Sequence, residues 1–141
     1  MCLVFWLLLQ LGNYSGRAQE TSLDGITIIG NQIGDEQLTK SKANEIFRGR
    51  STLWSNGKVV VLVLPSQRND NSTLVAKTVY QTTVKGMQKY WLALVFQGRG
   101  NPPIFLDSDK DILEYVLKTP GAIGLIRKEF QIEKNIEIQL K

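Results

Sequence analysis

Apolar residues run without interruption from Val59 to Leu64, with no polar alternation, between Lys58 and Pro65. Such a run predicts a strand covered on both faces, as in the parallel sheets of α/β proteins. A polar loop follows, and a helical pattern opens at Ser72 with Leu74, Val75 and Val79 on one face. Upstream, Gly25–Asn31 predicts a strand bounded by glycine. Residues 32–37 read as a loop. Thr39 then caps a helix whose apolar face is Ala43, Ile46 and Phe47 and whose end is marked by Gly49.

Downstream of Ser72 the spacing predicts one helix over 72–81 and a second over 82–96, with Gly86 marking either a break between them or a close packing contact. Val84, Met87, Trp91, Leu94 and Val95 keep helical spacing, and Tyr90, Trp91 and Phe96 are read as mostly core, with room for one to face a cleft. Ile104–Leu106 is a short extended piece. Ser108 caps a helix running to Lys118, with Asp109 and Asp111 at its positive end. Thr119-Pro120-Gly121 stops it, Ala122–Ile126 reads as a buried strand, and Ile136, Ile138 and Leu140 alternate as a half-exposed edge strand. Strands alternating with helices predict a layered α/β domain.

The N-terminus breaks this pattern. Cys2–Leu11 is almost wholly apolar, and Gly16-Arg17-Ala18 places small residues at −3 and −1 of a cleavage after Ala18. This predicts a secretory signal peptide over 1–18, although no Lys or Arg precedes the apolar run. The alternative is a short hydrophobic helix packed in the domain. Cleavage would leave 19–141 as the domain, exported and without cysteine, because Cys2 is the only one. No stretch of 18 apolar residues is present to span a membrane.

Composition narrows the chemistry. The 141 residues contain no His. With Cys2 removed, His acid–base catalysis, Cys nucleophiles and the usual zinc sites are excluded, so the sequence names no catalytic residue, metal ligand or cofactor. Net charge is +4, but the basic residues are spread along the chain without interleaved aromatics, which argues against nucleic acid. Ser55-Asn56-Gly57-Lys58 has the spacing of a serine–lysine pair, yet Asn-Gly makes it a turn. Asp107–Asp111 begins like a calcium loop but has Ile112 and Lys118 where Gly and Glu belong. Gly98-Arg99-Gly100 offers backbone N–H groups to an anion, but is read as a mobile loop.

Candidate chemistry therefore concentrates after the central strand. Strand, polar loop and helix N-terminus is an arrangement that holds anions, because the first helical N–H groups are unpaired and lie at the positive end of the dipole. Arg68 supplies a full charge and a planar fork. Ser72 and Thr73 supply hydroxyls and N–H groups, Asn71 lies between, and Asp70 is placed to orient Arg68 or to accept a proton. The competing reading is a solvated loop in which Asn71 or Ser72 merely caps the helix.

Several blocks carry a resemblance: Leu38-Thr39 to Ile46-Phe47-Arg48-Gly49, Trp54–Gly57, Arg68–Thr73, Tyr90-Trp91 to Phe96-Gln97-Gly98, and Thr119–Gly124. In this order they resemble short members of the phosphate-binding-protein-like superfamily, the periplasmic solute receptors of ABC phosphate importers. The resemblance implies a single three-layer lobe of the type 2 periplasmic-binding-protein fold. It also implies a non-enzymatic, periplasmic protein that binds phosphate or a similar oxyanion for ABC-type uptake or sensing. Arg68, Asp70 and Ser72 match the family's R-S-D-G-S-G-T segment by position. Asn71 replaces its first Gly, and the second is absent, so Thr73 follows Ser72 directly. Full receptors of the family close two lobes on the ligand, and the glycine-rich segment of the first lobe has no counterpart here. A lobe that has lost tight binding and serves as an accessory protein, meeting an ABC transporter or another periplasmic or inner-membrane protein, is the second expectation.

Overall fold

Four strands form the central sheet of the computed structural model, which describes residues 23–34, 37–130, 132 and 136–140. In chain order the elements are β1 (Ile26–Gly30), β2 (Gln37–Leu38), α1 (Lys40–Phe47), β3 (Val61–Pro65), α2 (Ser72–Val79), α3 (Val84–Phe96), β4 (Ile104–Leu106), α4 (Asp109–Lys118), β5 (Ala122–Arg127) and β6 (Gln139–Leu140). The sheet order is β1-β5-β3-β4. β3 is parallel to both neighbours, with Val63 opposite Gly124 on one side and Ile104 on the other. β1 runs antiparallel to β5, Ile28 facing Leu125. The predicted signal segment 1–18 lies outside the described residues.

Alternation along β3 divides its apolar run between two cores, which is why the run shows no polar period. Leu62 and Leu64 join Ile28, Ile123 and Leu125 under α1, α2 and α3. Val63 joins Ile29, Ala122 and Ile126 under Ile112 and Val116 of α4. Helices therefore cover both faces, and the domain has three layers.

The strand differs from its predicted bounds at both ends. Val59 is 50% exposed and only bridges Leu53, so β3 starts at Val61. Pro65 belongs to the strand rather than ending it, pairing with Leu106. A proline fits there because the strand's last position needs no N–H, and the Ser66 N–H takes up the ladder by donating to the Leu106 carbonyl at 2.9 Å.

Two helix caps are as predicted: Thr39 Oγ1 accepts from the Lys42 N–H and Ser108 Oγ from the Asp111 N–H, each at 3.1 Å. The boundary between α2 and α3 is not. α2 ends at Val79, Gln81 turns the chain with φ 55°, and Thr83 caps α3 by accepting from the Gly86 N–H. Gly86 thus sits in the first turn of α3, not at a break, and marks the close packing contact instead: an added methyl would collide with Thr82 Oγ1. Trp91 is core and Tyr90 half-buried, but Phe96 is 82% exposed.

The Thr119–Gly124 block does architectural work. Gly121 has φ 84°, and a methyl group there would lie 2.5 Å from the Val59 carbonyl oxygen, so only glycine fits. The Gly121 carbonyl accepts from the Val61 N–H at 3.1 Å and also from the buried Trp54 Nε1 at 2.8 Å. Gly124 has no such backbone demand. It lets Ile112 of α4 come so close that an added methyl would stand 2.8 Å from its Cγ2. The tail pairs with β2 as a two-residue parallel strand, and Ile138 is buried while Ile136 and Leu140 are partly so. The predicted loop 32–37 gives its last residue to β2.

Candidate functional site

β3, β4 and β5 are parallel, so their carboxyl ends open on one edge of the sheet. That edge carries the loop from Ser66 to Asn71, the Asp107–Ser108 entry to α4, and Arg127. In open α/β sheets it is the edge where ligands bind.

Asn69 builds the loop. Its side chain is buried, its Nδ2 donates to the Leu106 carbonyl at 3.2 Å, and its Oδ1 accepts from the Asn71 N–H at 2.9 Å. Two tight turns run through it: the Asn69 N–H donates to Ser66 O, and the Ser72 N–H donates to Asn69 O. Position 69 thus joins the loop to the neighbouring strand, a role the local pattern did not reveal because its partner is remote in sequence.

The five predicted site residues divide. Arg68, Asp70 and Thr73 are exposed at the edge, whereas Asn71 and Ser72 are buried. Arg68 pairs with Asp107, Nη1 to Oδ2 at 3.6 Å, with its side chain 85% exposed. This corrects the expectation that Asp70 orients Arg68. The loop instead carries Arg68 toward the start of α4, where Ser66 Oγ also bonds Asp107 and accepts from the Arg68 N–H. So exposed an ion pair is weak, and the guanidinium keeps most of its donors.

Asn71 is at the N-cap position of α2 but makes no capping bond, because its backbone is already helical (φ −82°, ψ −8°). Its side chain is 1% exposed, and neither Nδ2 nor Oδ1 has a hydrogen-bond partner in the structure. The reading of Asn71 as an ordinary side-chain cap does not hold.

A second polar group at this edge was read in the sequence only as a helix-dipole partner. Asp109, the first residue of α4, is buried, and its Oδ2 accepts from both the backbone N–H and Nε of Arg127 at 3.0 Å. The hydrogen bond and charge of Asp109 raise the Arg127 pKa, with smaller help from Asp70 and Glu129. The other oxygen, Oδ1, is buried without a partner. Arg68 and Arg127 are thus two cations at one edge, each beside a carboxylate.

The cavity that touches this loop, at Ser66 and Gln67, is apolar. It is a groove of about 360 Å³ walled by Trp91, Leu92, Val95, Pro103 and Phe105. Among the described residues no group of His, Cys, Asp and Glu is arranged to hold a metal ion, and no helix is long and apolar enough to cross a membrane.

No family model matches the chain, and no curated protein matches it. Among solved structures it is similar to an ABC-type phosphate transport receptor from Vibrio cholerae, with a TM-score of 0.53 and 15% identity. The match covers 82% of this chain and 46% of the receptor chain, so the chain spans less than half the receptor's length. At that identity the likeness is one of fold: the chain is a mixed α/β domain that shares the periplasmic-binding-protein fold of that receptor.

Proposed function

We propose that this domain is a non-enzymatic solute-binding lobe that takes phosphate or a similar small oxyanion at the carboxyl edge of its sheet. The proposal includes export to the periplasm and service to ABC-type phosphate uptake or sensing. The observation that carries it is the placement of the Arg68–Thr73 segment. In a lobe sharing its fold with a phosphate transport receptor, this segment joins the carboxyl end of a parallel strand to a helix N-terminus. That end presents positive backbone dipole, the Thr73 hydroxyl and a weakly paired guanidinium. Asp70 is exposed at the same end, where its carboxylate offers a hydrogen-bond acceptor to a protonated anion.

Amide chemical shifts followed during titration with sodium phosphate, and separately with sodium sulfate, test the placement. Shifts confined to Arg68–Leu74 and Asp107–Asp109 are the expected result. Saturating shifts elsewhere, or none at millimolar phosphate, would contradict it.

One observation favours a second reading, an interaction lobe that meets a polypeptide. The groove beside Gln67 is continuous with exposed Leu92, Val95 and Phe105, and exposed apolar patches of this kind mark protein contacts. Leu92→Glu separates the two readings: it would abolish partner capture and leave anion binding unchanged.

A further inference from the structure

The opposite edge of the sheet holds a second basic site. α1 and α3 both end there, and a cavity of about 340 Å³ lies between their C-termini, lined by Arg48, Arg50, Arg99, Tyr90, Leu94 and Gln97 among others. Residues 99–101 lead into β4, and the Val60 N–H, just before β3, donates to the Thr52 carbonyl. The cavity therefore sits at the amino ends of the parallel strands, away from Ser66–Asn71.

No carboxylate lines this cavity, and among the described residues none lies within ion-pair distance of its three arginines. The Glu45 backbone carbonyl, one turn back on α1, accepts from the Arg50 and Ser51 N–H groups. Elsewhere the described ion pairs give Arg68, Lys110 and Arg127 each an acid. Two helix C-termini make the site electronegative by about half a charge each. Three guanidinium groups outweigh this, leaving a surplus of roughly two positive charges.

The arginines are brought together by packing. Gly49 turns the chain with φ 71° directly against the Trp91 ring, where an added methyl would stand at 2.9 Å. A methyl group on Gly100 would lie 3.2 Å from the Gly49 carbonyl oxygen, so the Arg99 loop closes on the Arg48–Arg50 turn. Arg48 is half-buried and fixed: Nε donates to Asn44 Oδ1 at 3.1 Å, Nη2 donates to the Val79 carbonyl at 3.4 Å, and its own carbonyl accepts from the Tyr90 hydroxyl at 2.7 Å. Three of its five N–H donors remain. Arg50 and Arg99 are exposed, and Tyr90, Ala93 and Leu94 add an apolar wall.

We infer that this cavity binds a small organic anion with two or more negative charges, its carboxylates or phosphates on the arginines and its carbon skeleton against Tyr90 and Leu94. The volume is that of a small-molecule site. The site is separate from the oxyanion edge and does not depend on it.

Calorimetric titration with citrate and with glycerol 3-phosphate tests the inference and separates carboxylate from phosphate ligands. The protein and its Arg50→Ala, Arg99→Ala and Arg68→Ala variants are compared. Both Arg50 and Arg99 are exposed, so these variants fold. At least one probe should bind in a component that weakens at least tenfold in Arg50→Ala and Arg99→Ala and persists in Arg68→Ala. No binding of either probe at millimolar concentration overturns the inference, as does binding indifferent to Arg50 and Arg99. Loss in Arg68→Ala alone assigns the anion to the other edge and overturns it equally. Failure of the phosphate site alone leaves the expected pattern unchanged.

Discussion

Arg127, the last residue of β5, gives two N–H donors to one buried oxygen of Asp109, the first residue of α4, each at 3.0 Å. The contact locks the end of β5 to the start of the helix packed on it. It also sets a carboxylate at the positive end of that helix.

Asp109→Ala should therefore cost about 2 kcal/mol of stability, since it removes a buried acceptor that serves two donors. Asp109→Asn should fall between that variant and the parent, because one amide oxygen can still accept. Urea denaturation followed by circular dichroism measures both. A loss under about 0.5 kcal/mol for Asp109→Ala, the range of an ordinary surface change, would show the contact to be incidental.

The buried Tyr80 predicts an alkaline limit. Burial pushes its phenol well above the ordinary value, outweighing the hydrogen bond from Trp91 that favours ionisation. The native state therefore keeps a proton that the unfolded chain releases near pH 10. Below that pH the contribution is fully present. Above it, stability should fall by about 1.4 kcal/mol per pH unit from this group. In Tyr80→Phe that component of the slope should vanish. The same variant should lose about 1–2 kcal/mol at neutral pH, because the hydroxyl joins the Phe47 carbonyl at 2.7 Å to Trp91 Nε1 at 3.1 Å. Denaturation at pH 8, 10 and 11 checks both, and an unchanged alkaline slope in the variant would refute the assignment.

Two glycines of one motif should fail for different reasons. Gly121→Ala meets both a positive φ and a backbone oxygen at 2.5 Å, which cannot retreat without moving β3. Gly124→Ala meets the side chains of Ile112 and Val116, which can shift. Overpacking of the second kind costs about 1–3 kcal/mol. Gly121→Ala should cost more and should also perturb Trp54 fluorescence through the Gly121 carbonyl. Thermal melts with tryptophan emission rank the two, and equal losses with unchanged emission would contradict this account.

What was legible in the sequence follows the range of the interactions. The Thr39 and Ser108 caps are contacts over three residues and could be read directly. The Val59–Leu64 run announced a two-faced strand because both cores take alternate residues from it. Val59 misled, since its apolar side chain fits the run yet lies at the exposed margin of the sheet. Asp107 as the partner of Arg68, and Arg127 as the partner of Asp109, lie 39 and 18 positions away, and only the parallel register of β3, β4 and β5 brings them together. Asp70, two positions from Arg68, was the local candidate and the wrong one. Arg99 lies 49 positions beyond Arg50, so its grouping with Arg48 and Arg50 was hidden for the same reason. Their proximity is created by the close approach of Gly49 and Gly100.

Isothermal calorimetry with sodium phosphate tests whether the Arg68–Thr73 segment receives an oxyanion. Binding to the protein should be saturable, should weaken at least tenfold in Arg68→Ala through the loss of a charge-assisted hydrogen bond, and should persist in Arg50→Ala. Absence of heat at millimolar phosphate with the protein folded, or binding that Arg68→Ala leaves intact, would contradict the proposal.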